Sequence, residues 1–281
     1  LIWLLPAALC SIVIALILKI NEVRCGDRIL LAGANYIVAS LLSFLLLGGR
    51  VTVPGTVTLT LGAATGIDYV LGFLVLMAGI ARGPLAVPVT VMRLSVAVPV
   101  VVSIIIWNEH PGSLQWVGLV LGVIAIVLFG WSLSGPSTER GAGASYWLLI
   151  VSLFFVMGLG DLLLKTFREL SPDSDRMVFI WVLFSVAAVF TWVLVVLRDI
   201  PFNRKTFLLG LVLGVPNLFS TVFMLLALRT TPASIAFPFV NLTVIFGSAL
   251  LGFLIWKERL SRLATAGLAL ALVALVLLPV R

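Results

Sequence analysis

Residues 85–107 read LAVPVTVMRLSVAVPVVVSIIIW, an apolar run whose only charge is Arg93. As a helix, a run of this length crosses the roughly 30 Å hydrocarbon core of a bilayer and sets Arg93 near the membrane centre. An arginine there costs about 2.5–3.5 kcal/mol on insertion scales, and it does not deprotonate to escape. It therefore needs a partner, a wet cavity or an anionic ligand. The preceding apolar run centres a second charge, Asp68. Two opposite charges in adjacent apolar runs point to a polar midplane within a bundle of membrane helices.

The rest of the chain agrees. Of its 281 residues 62% are hydrophobic and only 10% charged, with a mean hydropathy of +1.27. A soluble core does not need that composition, whereas stacked membrane spans do. Ten apolar runs of spanning length follow one another at about 1–18, 29–47, 57–81, 84–107, 113–131, 146–164, 177–197, 206–228, 233–256 and 262–280. Each must be helical, because lipid offers no partner for a backbone N–H or C=O. The fold class expected is thus all-α integral membrane. Leu1–Leu18 reads as a span rather than a cleaved signal peptide, because it runs into Lys19 without a small-residue cleavage pattern.

The net charge of +7 is spread over short joints. It suits anionic membrane lipids as partners and lacks the contiguous basic, aromatic-interleaved stretch of a nucleic-acid binder. Cys10, Cys25 and the single His110 form no metal-ligand spacing, so neither a metal nor a cofactor is expected.

A polar joint at 132–145 separates five spans (1–131) from five more (146–281), and these halves repeat. Gly62-x-x-x-Gly66 recurs as Gly210-x-x-x-Gly214, at the offset of 148 that also relates Pro84 to Pro232. Trp107-Asn108-Glu109 recurs as Trp256-Lys257-Glu258, each glutamate being followed nine residues later by a glycine, Gly118 or Gly267. Five spans reverse the direction of insertion, so the two halves form inverted repeats, a recurrent transporter architecture.

With these features the chain resembles the drug/metabolite transporter superfamily, EamA-type branch, over essentially its whole length. The resemblance implies ten transmembrane helices around a central cavity, and carriage of amino acids, other metabolites, nucleotide-linked sugars or drugs. It also implies both termini in the cytoplasm. The basic residues, six on the side of the termini against eleven on the other, favour the opposite orientation, so the question stays open. The bacterial inner membrane is the expected location.

The family supplies no universal binding residues, so candidates rest on local physics. Arg93 is expected to take an anionic substrate group and Asp68 a cation or a coupling proton. The alternative is a structural pair that meets no substrate. Asn241 stands at the offset of 148 from Arg93, and Asn217 lies one residue beyond the counterpart of Asp68; both read equally as substrate ligands or as interhelical hydrogen bonds. Pro88, Pro99, Pro216 and Pro238 are candidate hinges or fixed kinks. Glu109 and Glu258 sit beside the N-termini of the fifth and tenth spans, where a carboxylate complements the helix dipole. Lys19 and Lys165 read as interfacial lysines, and Asp161 as a same-face partner of Lys165, with a role at the cavity mouth as the alternative. The Gly118/Gly122 face reads as packing, with a homodimer contact as the alternative.

The paired charges favour a gradient-driven carrier of a small zwitterion such as an amino acid. No phosphate-cradling G-x-x-x-x-G-K-[ST] is present. Multidrug efflux of lipophilic cations is the competing transporter reading. A lipid-carrier flippase subunit or a membrane enzyme is the reading from another class, with no catalytic cluster to support an enzyme.

Overall fold

The computed structural model describes residues 2–48, 54–83, 86–132, 144–257 and 261–280. Pro84, Glu258 and most of the joint at 132–145 lie outside them. The elements are α1 (Leu4–Val23), α2 (Arg28–Leu46), α3 (Thr56–Arg82), α4 (Ala86–Leu94), α5 (Ala97–Ile106), α6 (Ser113–Ser132), α7 (Ala144–Leu170), α8 (Arg176–Leu197), α9 (Arg204–Ala227), α10 (Ala233–Trp256) and α11 (Arg262–Leu277). No strand occurs among the described residues. Nine spans are long and apolar enough to cross a membrane, with α4 and α5 together making one of them, and α11 is a shorter apolar tenth.

Polar side chains start several of these helices. Asp27 accepts from the N–H groups of Ile29 and Leu30, Asn203 from those of Lys205 and Thr206, and Ser261 from that of Ala264. Each satisfies donors that the first helical turn leaves without an internal partner. Large apolar side chains point outward along the spans; Ile105, Leu148 and Val196 are 70%, 72% and 74% exposed. Only lipid removes such surface from water, so this is an integral membrane protein.

The chain forms two compact units, and each draws on both sequence halves. One comprises Leu71–Leu162 with Thr230–Arg281, the other Ile2–Val70 with Leu163–Arg229. In the second unit the main packing is α2 on α8, α2 on α9 and α1 on α9; in the first it is α6 on α11, α4 on α6 and α5 on α10.

Contacts repeat residue by residue within these units. A Cβ built on Gly62 would lie 3.1 Å from the carbonyl of Phe179 and from Val182. One built on Gly210 would meet the carbonyl of Leu31 and Ala34, at 2.5 and 2.7 Å. Each partner is shifted by 148, like the glycines themselves. Gly66 faces Leu183 and Val186 as Gly214 faces Asn35 and Val38. In the other unit Gly118 abuts Leu277 and Leu278, and Gly267 abuts Leu128 and Phe129, at an offset of 149. The small-xxx-small faces therefore let backbones touch. Gly118 packs on α11 and Gly122 on Leu242 of α10, so this face is filled from within the chain.

The two halves differ at the fourth span. It breaks at Ser95–Val96 into α4 and α5. Pro99 has no N–H to offer the Ser95 carbonyl and its ring would crowd that oxygen. The Val98 N–H takes the carbonyl instead, at 2.9 Å, in a tighter turn, while the Ser95 hydroxyl donates to the Met92 carbonyl at 2.6 Å. The position equivalent to Pro99 in the second half is Gly247, and α10 runs through it unbroken. Pro88 sits in the first turn of α4, where no intrahelical bond is lost. Pro216 and Pro238 lie inside α9 and α10, which continue past them.

Candidate functional site

The break in the fourth span shapes the surroundings of Arg93. In a continuous helix the Arg93 carbonyl would accept from the N–H of residue 97. With the helix interrupted, that carbonyl accepts instead from Asn241 Nδ2 of α10, at 2.7 Å. The Asn241 Oδ1 in turn accepts from Arg93 Nη1 at 3.1 Å. The two residues, counterparts at the offset of 148 in the sequence, are joined by both of these bonds. The pair locks the guanidinium in place and leaves its remaining N–H donors for other groups.

The acidic neighbour of Arg93 within its own unit is Asp161 of α7. At Gly158 the α7 backbone presses on the broken segment: an added Cβ would lie 2.5 Å from Val98 Cβ and 2.8 Å from the Ser95 carbonyl. Asp161 follows less than one turn later, on the same side of the helix. It is partly buried, as is Arg93, and the two charges interact electrostatically. Neither a hydrogen bond nor an ion pair within 4.0 Å joins them. A cavity of about 110 Å³ adjoins Arg93, with Val89, Thr90, Phe129, Ile245 and Ser248 among its walls.

The other unit holds the remaining candidates. Asp68 is buried in α3, 6% exposed, and the next residue, Tyr69, packs edge-on against Phe184. Asn217 of α9 donates from Nδ2 to Asn35 Oδ1 of α2 at 3.1 Å, an interhelical hydrogen bond with a partner that the sequence had not singled out. Arg93 and Asn241 are thus brought together in one unit, and Asn217 is paired in the other.

Two local expectations are corrected. Lys165 is buried, 4% exposed, and its Nζ pairs with Glu169 at 2.5 Å rather than with Asp161. The helix α7 continues past it to Leu170, six residues beyond the apolar run that marked its end. Glu109 does serve a helix N-terminus, but that of α10: its two carboxylate oxygens accept from the N–H groups of Ala233 at 2.9 Å and Ser234 at 2.8 Å. At the start of α6 the Gln115 side chain accepts from the Gly112 N–H at 2.8 Å.

Residues 144–279 match the EamA-like transporter family. Over almost its whole length the chain is also similar to an uncharacterized protein of Haemophilus influenzae, 27% identical across 97% of this chain and 95% of that protein. A crystal structure of a protein with 14% identity superposes with a TM-score of 0.78, over 98% of this chain and 94% of the other, so the fold is shared along the full length. The chain is thus a helical membrane protein whose second half, residues 144–279, is similar to the EamA-like transporter family.

Proposed function

We propose that the protein is a gradient-driven carrier of a small zwitterion, an amino acid or a close relative, working by alternating access in a bacterial cell membrane. One observation carries this reading: Arg93 is fixed by Asn241 and faces the field of Asp161, yet makes no direct contact with it. Two opposite charges held near each other but apart suit a ligand that bears a carboxylate and an ammonium. Arg93 takes the carboxylate in charge-assisted hydrogen bonds. Asp161 is its ammonium partner within the unit. Asp68, a carboxylate buried in α3 of the other unit, is the candidate for a coupling proton. Asn241 positions the arginine, and the break before Pro99 supplies the irregular backbone that midplane sites use. Asn217 belongs to the helix packing of the other unit, through its bond to Asn35.

Equilibrium binding to purified protein separates the parts of this reading. Wild type binds a labelled neutral amino acid at least tenfold more tightly than its decarboxylated amine. Arg93→Gln removes that discrimination, and Asp161→Asn removes preference over the des-amino acid. Tight binding of bulky cations with no amino-acid competition contradicts the proposal and supports drug efflux.

A further inference from the structure

A second polar cavity lies at the other end of the chemistry, at the water boundary of the second unit. It measures about 560 Å³ and is lined by Asn21 and Arg24 at the end of α1 and by Asn203, Lys205, Thr206 and Leu209 at the start of α9. Arg24 and Lys205 are exposed, and neither has an acidic partner among the described residues. Arg28, at the start of α2, does have one, in Glu22. The carboxylates of the α1–α2 joint are committed, Glu22 to Arg28 and Asp27 to the cap of α2. Among the described residues no carboxylate lines the cavity. Exposed apolar side chains flank the same helix ends, Val23 at 65%, Phe202 at 65% and Leu208 at 49%.

We infer that this cavity is a binding site for the headgroup of an anionic phospholipid, with Arg24 and Lys205 on the phosphate and the acyl chains running beside Val23 and Leu208. Two uncompensated cations above an apolar flank match a phosphodiester above its acyl chains, and the volume falls in the range of small-ligand sites. Amide and hydroxyl groups of Asn21, Asn203 and Thr206 suit a polyol headgroup. A choline headgroup would set a third cation against Arg24 and Lys205. The cavity lies on the side carrying eleven of the basic joint residues.

The full-length protein is released from mixed phosphatidylcholine and phosphatidylglycerol nanodiscs into a mass spectrometer, and the retained lipids are counted. Wild type retains phosphatidylglycerol over phosphatidylcholine by about tenfold or more, as expected for two cations near the surface. The Arg24→Gln, Lys205→Gln double variant falls to near parity, while Arg198→Gln, an exposed cation outside the cavity, keeps the preference. An unchanged preference in the double variant overturns the assignment. So does displacement of phosphatidylglycerol by millimolar glycerol phosphate, which would make the site one for a soluble phosphate ester. The readout is independent of transport and of the site at Arg93.

Discussion

Replacing Glu109 removes a contact that joins the fifth-span hairpin to the ninth span. Its two oxygens each accept one backbone N–H at the start of α10, from Ala233 and Ser234. Those donors belong to the first turn, which has no internal acceptors for them. Loss of an N-terminal cap typically costs about 0.5–2 kcal/mol, and a hydrogen bond to a charged group contributes about 1.5–3 kcal/mol. Since both bonds go to one carboxylate and are not additive, Glu109→Ala is expected to destabilise the protein by about 2–3 kcal/mol. Glu109→Gln keeps one acceptor oxygen and loses about half of that. Reversible unfolding in mixed detergent–lipid micelles gives the free energies. Hydrogen exchange of a peptide covering 230–236 gives the location, with faster exchange at Ala233 and Ser234 in the alanine variant. A Glu109→Ala protein within about 0.5 kcal/mol of wild type, with unchanged exchange at those amides, would refute this account of the contact.

The Asn35–Asn217 bond is expected to show a coupling of about 0.6–1.7 kcal/mol in a double-mutant cycle with leucine; no coupling would mean that the two amides act separately. Gly214→Ala places a methyl 2.6 Å from Val38 Cβ and 2.7 Å from the Asn35 carbonyl, and should cost about 1–3 kcal/mol. Gly66→Ala should behave alike because it meets the counterpart residues, while Gly55→Ala, with nothing within 4 Å, stays close to wild type in the same unfolding assay. Asn241→Leu leaves the Arg93 carbonyl without its donor and frees the guanidinium, so a loss of about 1–3 kcal/mol in stability should accompany at least tenfold weaker substrate binding. Stability loss with unaltered binding would separate Arg93 from the substrate.

Much of this was legible in the sequence because lipid reduces the problem to few choices. Apolar runs of spanning length must be helices, and all ten appear. The duplication was readable from Gly62 and Gly66 against Gly210 and Gly214, and the structure gives it a cause: each glycine meets the counterpart of the other's partner. Arg93 with Asn241 was readable as a related pair at one offset, but their reciprocal hydrogen bonds were not. These bonds depend on the carbonyl released by the break before Pro99, and sequence shows a proline without showing whether the helix continues, as it does at Pro216 and Pro238. Asp161 was misread because local spacing to Lys165 stood in for tertiary contact. Lys165 has its partner at Glu169, while Asp161 interacts electrostatically with Arg93 of another helix. The same limit applied to Glu109, whose position beside one helix start gave no sign that it caps another.

The most direct test of a zwitterion carrier centred on Arg93 is counterflow in proteoliposomes. Vesicles are loaded with an unlabelled amino-acid panel, and uptake of each labelled member is followed for wild type, Arg93→Gln and Asp161→Asn, with folding checked for all three. The account predicts saturable uptake of one amino-acid class by wild type and at least a tenfold loss in both variants. Uptake of that class undiminished in a folded Arg93→Gln protein, or wild-type counterflow for lipophilic cations and for no amino acid, would contradict it.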